Sequence, residues 1–394
     1  MPRQRSLFLI TTLSLFALAC AAATDQLTPL VASPLMATMT PFLGTDGQQH
    51  FVYELVVTNT SPTPATLQKI TVIDAADPSK VLATFEGDAL LSHLHSTGAT
   101  AEKDATIEFG GTRIFLIDFT LDAAAPIPAR LLHQLELLGA ASPARQATTP
   151  VSLDYTVAPI QVSRKLRVIG PPLAGKHWVV TNGCCEPGGA HRATSLAVNG
   201  AIYFAQRFAI DWLRMDDEGR LVTGDPSDVH NYTSYGDNIL AVADGTVVST
   251  LNNLDDQKPG TLPDPKTITI ENVDGNHVVL DLGDGVYAFY AHMQKRSVLV
   301  NVGDHVKRGQ VLGKLGNTGN TSAPHLHFHL MNGPSVLGSQ GIPYEIDAFE
   351  LAGEVPAKQF EDATGLDGDW SRGLLTTPSL RKKQFPLDLN IVNF

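Results

Sequence analysis

The stretch Ser322 to Leu330, SAPHLHFHL, sets a histidine at every second position, with Leu326, Phe328 and Leu330 following each in turn. A repeat of two residues is the period of a β-strand, whose successive side chains leave opposite faces. Leu326, Phe328 and Leu330 are therefore expected to face a core, while His325, His327 and His329 share the other face. Same-face neighbours on a strand lie roughly 7 Å apart, close enough for two imidazoles to serve one bound ion. The same period recurs along the chain. FVYELVVTNT, LQKITVIDA, GTRIFLIDFTL and VSLDYTVAPI are alternating or β-branched runs, punctuated by turn residues such as Asn59, Ser61, Pro62 and Pro64. No comparable helical period accompanies them, so the expectation is a mainly β protein.

At 394 residues the chain has room for two domains with cores of ordinary size. Residues 24–165 read as an antiparallel, immunoglobulin-like sandwich. Nothing in it looks catalytic, and His93, His95 and His133 are expected at the surface or as hydrogen-bonded loop residues. SRKLRVIGPPLAGK, with Pro171 and Pro172, marks the crossing into a second domain, 166–350. Its predicted strands are RFAIDWLRM, NILAVADGTVVSTL, TITIEN, NHVVLDLG, VYAFYAHM, QVLGKLG and HLHFHLM, with Asp244-Gly245 and Asp284-Gly285 as hairpin turns. Residues 351–394 form a C-terminal extension in which no function is legible.

Residues 1–23 read as a secretory signal. Arg3 and Arg5 precede the apolar run LFLITTLSLFALA, which is too short to span a bilayer and ends in small residues around Cys20. ALAC also offers a lipid-attachment box at Cys20, which competes with simple cleavage after Ala21 or Ala23. The expected location is periplasmic, cell-envelope or extracellular, with contact to a membrane only through the signal or that lipid. Removing the segment moves the formal charge from −12 to −14, since it carries two arginines and no acid. With no basic stripe, a nucleic-acid partner is excluded from the expectation. Cys184 and Cys185 then remain as an adjacent pair, open to a strained disulfide, to free thiols or to a metal.

YGDNILAVADGTVV, GNHVVLDLGDGVYAFYAHM and VNVGDHVKRGQVLGKLGNTGNTSAPHLHFHL occur in that order. Together they resemble the M23 (lysostaphin-like) zinc metallopeptidases, over about residues 204–331. The resemblance implies a Zn²⁺ cofactor, with Asp211 of FAID and His327 of HLH as metal ligands. It implies His292 of YAHM and His325 of HLH as catalytic histidines, and leaves His329 with a structural or substrate-side place. The substrate it implies is a peptide, in peptidoglycan cross-links or bridges or elsewhere. Imidazole and carboxylate suit zinc and leave a position open for water.

One position departs from the family pattern. Four residues before Asp211, where a further histidine ligand belongs, stands Arg207, which stays protonated and cannot bind a cation. His191 is the first candidate to replace it, with His177, His230 or a cysteine of the pair as others. A two-residue turn at Asn199-Gly200 would pair His191 with Phe208, on the face away from Asp211. A three-residue loop or a bulge would pair it with Ala209 and turn it toward Asp211. Without a third ligand the expectation changes to a degenerate module of the same fold, binding cell wall or regulating an amidase.

Overall fold

The computed structural model describes residues 25–98, 100–140, 149–361 and 368–394. The expected signal segment and Cys20 lie outside the described residues. The chain is mainly β, as its two-residue period implies.

Residues 30–162 form two facing sheets. One runs in the order Leu30–Pro34, Gln48–Asn59, Thr112–Asp122, Leu94–Ser96. The other runs Thr38–Met39, Val151–Val162, Arg130–Gly139, Ala65–Asp74, Asp77–Glu86. Between them Phe51, Tyr53, Leu55, Phe115 and Ile117 meet Ile70, Val72, Leu131, Leu135 and Leu137 in one core. A short helix, Gly87–Ser92, lies within this part.

Gln48–Asn59 is buried along most of its length rather than on alternate residues. Its second face is covered by the later part of the chain. Val52 joins the core of the large sheet, Val56 packs with Phe204, and Glu54 is 1% exposed. A sheet covered on both faces has no polar side to show.

Two expectations in this region change. His133 is fully buried and His95 nearly so. In RLLHQLELLG, His133 falls in phase with Leu131, Leu135 and Leu137, so the alternation itself sends it inward. Its Nδ1–H donates to the Ala158 carbonyl at 2.7 Å and its Nε2 accepts from the Tyr53 hydroxyl at 2.8 Å.

The second part is built on one long sheet. Its order is Arg167–Ile169, Tyr344–Glu354, Asn390–Asn393, Trp178–Thr181, Ile210–Arg214, Leu326–Met331, Tyr287–Met293, Asn276–Asp281, Gly245–Leu251, His305–Val306. All these pairings are antiparallel except Arg167–Ile169 with Tyr344–Glu354. The C-terminal stretch thus supplies an interior strand, since Asn390–Asn393 lies between Trp178–Thr181 and Tyr344–Glu354.

TITIEN is not a strand. Pro265–Thr267 is a 3₁₀ turn, and Asn272 closes the next residues by accepting from the Thr269 N–H and donating to the Thr267 carbonyl. A local side-chain bond of this kind outcompetes a ladder where no partner strand is offered.

A candidate metal centre and the histidines around it

Leu326–Met331 pairs with Ile210–Arg214 on one side and with Tyr287–Met293 on the other. Leu326, Phe328 and Leu330 enter the main core, as their period requires. On the opposite face His327 is directly across from Asp211 in one neighbour and from Ala291 in the other. Directly opposed residues on adjacent strands hold their side chains within contact. His327 Nδ1 is 2.9 Å from Asp211 Oδ1.

His329 lies beside His327 on the same strand face. Its Nδ1 is 3.0 Å from His327 Nε2, and its own Nε2 is buried without a hydrogen-bond partner. When His327 donates Nε2–H to His329, its Nδ1 lone pair is left facing Asp211, which is the tautomer a cation needs.

His191 arrives by a route the register argument did not contain. The Asn199-Gly200 turn is a two-residue turn, with both residues at positive φ and Val198 paired to Ala201. By the sequence argument His191 should then face away. The ladder, however, ends at Leu196 and Tyr203, and residues 204–209 leave the strand through turns before Ile210. Strand parity no longer links residue 191 to residue 208. His191 Nδ1–H donates to the Ala209 carbonyl at 3.2 Å, and its Nε2 sits 3.4 Å from Asp211 Oδ2.

The potential ligand atoms of His191, Asp211 and His327 all lie within 4.8 Å of one another, and all three residues are buried. Two imidazoles and one carboxylate match the donor set of three-ligand catalytic zinc sites. His177 and His230 lie elsewhere, near Asp217 and Asp228 respectively.

His292 and His325 flank this trio, their ring centroids 4.7 Å apart. Strict alternation would put His292 on the core face with Tyr290. A φ of 58° at His292 breaks the phase and turns the ring toward the site; such a conformation is unfavourable for a non-glycine residue. Its Nδ1–H donates to the Thr318 carbonyl at 2.7 Å. His325 Nδ1–H likewise donates to the Ala323 carbonyl at 2.8 Å, and its Nε2 is 3.3 Å from Asp211 Oδ1. Both rings therefore keep Nε2 as the working nitrogen.

Burial, with the nearby His325 and His327, holds His292 well below the ordinary imidazole range. For His325 burial acts downward, but the Asp211 carboxylate outweighs it and raises the ring. Burial pushes His327 down to about 4, against the pull of Asp211. Asp211 itself would be raised by burial, yet His191, His325 and His327 hold it well below the usual carboxylate range.

Arg207 points away from the trio. Its guanidinium forks onto Glu54, with Nε–Oε1 2.7 Å and Nη2–Oε2 2.5 Å, and also donates to the Gly341 carbonyl. Arg192, next in chain to His191, binds the same carboxylate at 2.6 Å. Sequence reasoning missed Asn182, whose Nδ2 donates to Asp211 Oδ2 at 2.7 Å from a φ of 55°. The Asn182-Gly183 pair, which directly follows the strand Trp178–Thr181, was its one visible signal.

Residues 229–338 match the model of Peptidase family M23. The resemblance read from the sequence holds there; His292, His325 and His327 fall within the matched segment, and His191 and Asp211 precede it. Lysostaphin from Staphylococcus staphylolyticus is 48% identical over 58 residues, 14% of this chain and 12% of that protein. Peptidoglycan DD-endopeptidase ShyA from Vibrio cholerae serotype O1 is 44% identical over 57 residues, 14% of this chain and 13% of that protein. The chain thus spans only a small part of either relative's length. The lysostaphin catalytic domain from Staphylococcus simulans is 26% identical over 37% of this chain and 80% of that one, at a TM-score of 0.23, too low to bear on the fold.

Proposed function

We propose that the chain is an exported zinc metalloendopeptidase acting on peptide bonds of peptidoglycan cross-links or bridges. The observation that carries this reading is the convergence of His191, Asp211 and His327, with two further histidines presenting Nε2 beside them. The M23 match over residues 229–338 supports the reaction class, and the similarity to enzymes named as peptidoglycan endopeptidases supports the substrate. Among the described residues no helix is long and apolar enough to cross a membrane.

His191 Nε2, the Asp211 carboxylate and His327 Nδ1 would hold the ion. Zinc bound there would supply Lewis acidity to the scissile carbonyl and to the attacking water. The remaining steps belong to the chain. His292, kept neutral by burial and by its neighbouring histidines, is suited to accept the proton of the attacking water. His325, whose Nε2 is presented to the site at 3.3 Å from Asp211 Oδ1, is suited to steady the developing oxyanion and to protonate the leaving amine. Thr318 and Ala323 hold the two rings in orientation through their carbonyls.

The test is metal content and release of soluble fragments from purified peptidoglycan. The parent should carry one equivalent of zinc at this site and cleave, and His327→Ala should lose both properties. His292→Ala and His325→Ala should keep the metal and lose about 10²- to 10⁴-fold in rate, the usual contribution of a positioned acid or base. Zinc retained with peptidoglycan bound but uncut by the parent would move the assignment to a non-hydrolytic wall-binding module.

A further inference from the structure

A second group of ligand-type side chains meets where the sandwich touches the large sheet, away from the trio above. His50, Asp118 and Cys185 bring a ring nitrogen, a carboxylate oxygen and a sulfur within 4.8 Å of one another. His50 and Asp118 come from the paired strands Gln48–Asn59 and Thr112–Asp122, on the face that meets the second part of the chain. Cys185 comes from the loop after Trp178–Thr181, a strand of the large sheet.

Two of the three groups are prepared for a cation. His50 donates Nε2–H to the Asp46 carboxylate at 3.2 Å, which leaves the Nδ1 lone pair facing Cys185 Sγ at 3.9 Å. A carboxylate behind a histidine is the usual support of a metal-binding imidazole. Phe42 stacks on the same ring at 5.1 Å and limits its rotation. Asp118 Oδ1 is buried without a hydrogen-bond partner. Burial pushes its carboxyl up to about 7, against the attraction of Arg192 and with added repulsion from Glu186 and Asp46. Arg192 is already held by Glu54 at 2.6 Å. Only Cys185 is not ready, because its sulfur is bonded to Cys184. The thiolate, not the disulfide, is the metal ligand.

We infer that His50, Asp118 and Cys185 form a second, thiol-gated site for a divalent cation of the zinc type, closed while Cys184 and Cys185 are joined. Opening it takes two electrons and two protons from a dithiol, which leaves as its own disulfide, and yields two cysteine thiols. Binding then releases the proton of Cys185 and any proton on Asp118. A thiolate and a carboxylate balance the ion's two charges, and sulfur with imidazole favours zinc over calcium or magnesium. Because two ligands belong to the sandwich and one to the second part, an ion there would tie the two together. Nothing in this assignment depends on the peptidase reading.

The test uses the full chain and Co²⁺, whose thiolate charge-transfer band in the near ultraviolet reports sulfur ligation and cannot come from the His191–Asp211–His327 site. Cys184→Ser frees Cys185 without any reductant and should show the band. The untreated parent should not, and should gain it after reduction with a phosphine, which contributes no thiol of its own. Adding His50→Ala or Asp118→Asn to Cys184→Ser should weaken Co²⁺ at least tenfold by titration of the band, and Cys184→Ser with Cys185→Ser should be silent. Absence of the band in both Cys184→Ser and the reduced parent, or equal affinity with and without His50 and Asp118, overturns the site. Should Cys184→Ser not fold, the reduced parent and its His50→Ala and Asp118→Asn variants decide the question alone.

Discussion

At the scale of single residues, Asp211 is the point on which the site turns. Its carboxylate is 2.9 Å from His327 Nδ1, 3.4 Å from His191 Nε2 and 3.3 Å from His325 Nε2. Asn182 fixes which way it faces by holding Oδ2. Asn182→Ala should leave the fold intact and weaken zinc by about 10- to 100-fold, as loss of a ligand's supporting hydrogen bond commonly does. His191→Ala should weaken zinc more than that, since two protein ligands do not make an ordinary zinc site. Competition against a chelator of known affinity measures both. Zinc affinity in His191→Ala equal to the parent would remove His191 from the ligand set.

At the scale of elements, the strand Arg130–Gly139 carries a titratable group into the sandwich core. His133 has its pKa lowered to about 4 by burial, opposed by its bond to the Ala158 carbonyl. A neutral folded form and a protonatable unfolded one fix the sign. Above pH 6.5 both states are neutral and the full stability is present. As pH falls from about 6.5 toward 4 the unfolded chain takes up the proton first, and the contribution is lost. The two values imply a loss of about 3 kcal/mol over that window. Denaturant unfolding of parent and His133→Gln across this range should show the difference between them shrinking as the pH falls. A constant difference would mean that His133 does not titrate in this way.

At the scale of the whole molecule, the sandwich and the long sheet are joined by a buried cluster, Arg192–Glu54–Arg207, whose members are 0%, 1% and 3% exposed. Breaking such a cluster leaves charge stranded in the interior, typically at a cost of about 3–5 kcal/mol. Glu54→Gln should therefore destabilise the full chain by about that amount. Replacing all three by apolar residues of similar volume should recover much of it, because the cost is mainly desolvation of unpaired charge. Since Arg192 adjoins His191, Glu54→Gln should also weaken zinc, which ties the metal trio to the front sandwich. Unchanged stability and unchanged zinc affinity in Glu54→Gln would show the cluster to be incidental.

The sequence by itself determined what depends on period and near neighbours. The alternation of SAPHLHFHL placed Leu326, Phe328 and Leu330 in a core and His327 on the other face. The long runs in the sandwich and the strands around YAHM and HLH were legible in the same way, and the inward phase of His133 was present though unread. The sequence also identified Arg207 as unable to bind an ion. Tertiary structure alone decided where that arginine goes and what stands in its place. Its partner Glu54 is 153 residues away, and Cys185 and His50 are separated by 135. No local period encodes such meetings, because they follow from how two layers stack rather than from how one strand alternates. His191 reached Asp211 only because the ladder stopped at Leu196 and Tyr203, and His292 turned from the core face to the site only through its positive φ. In both cases the chain left regular alternation, so the period that places strand side chains no longer applied.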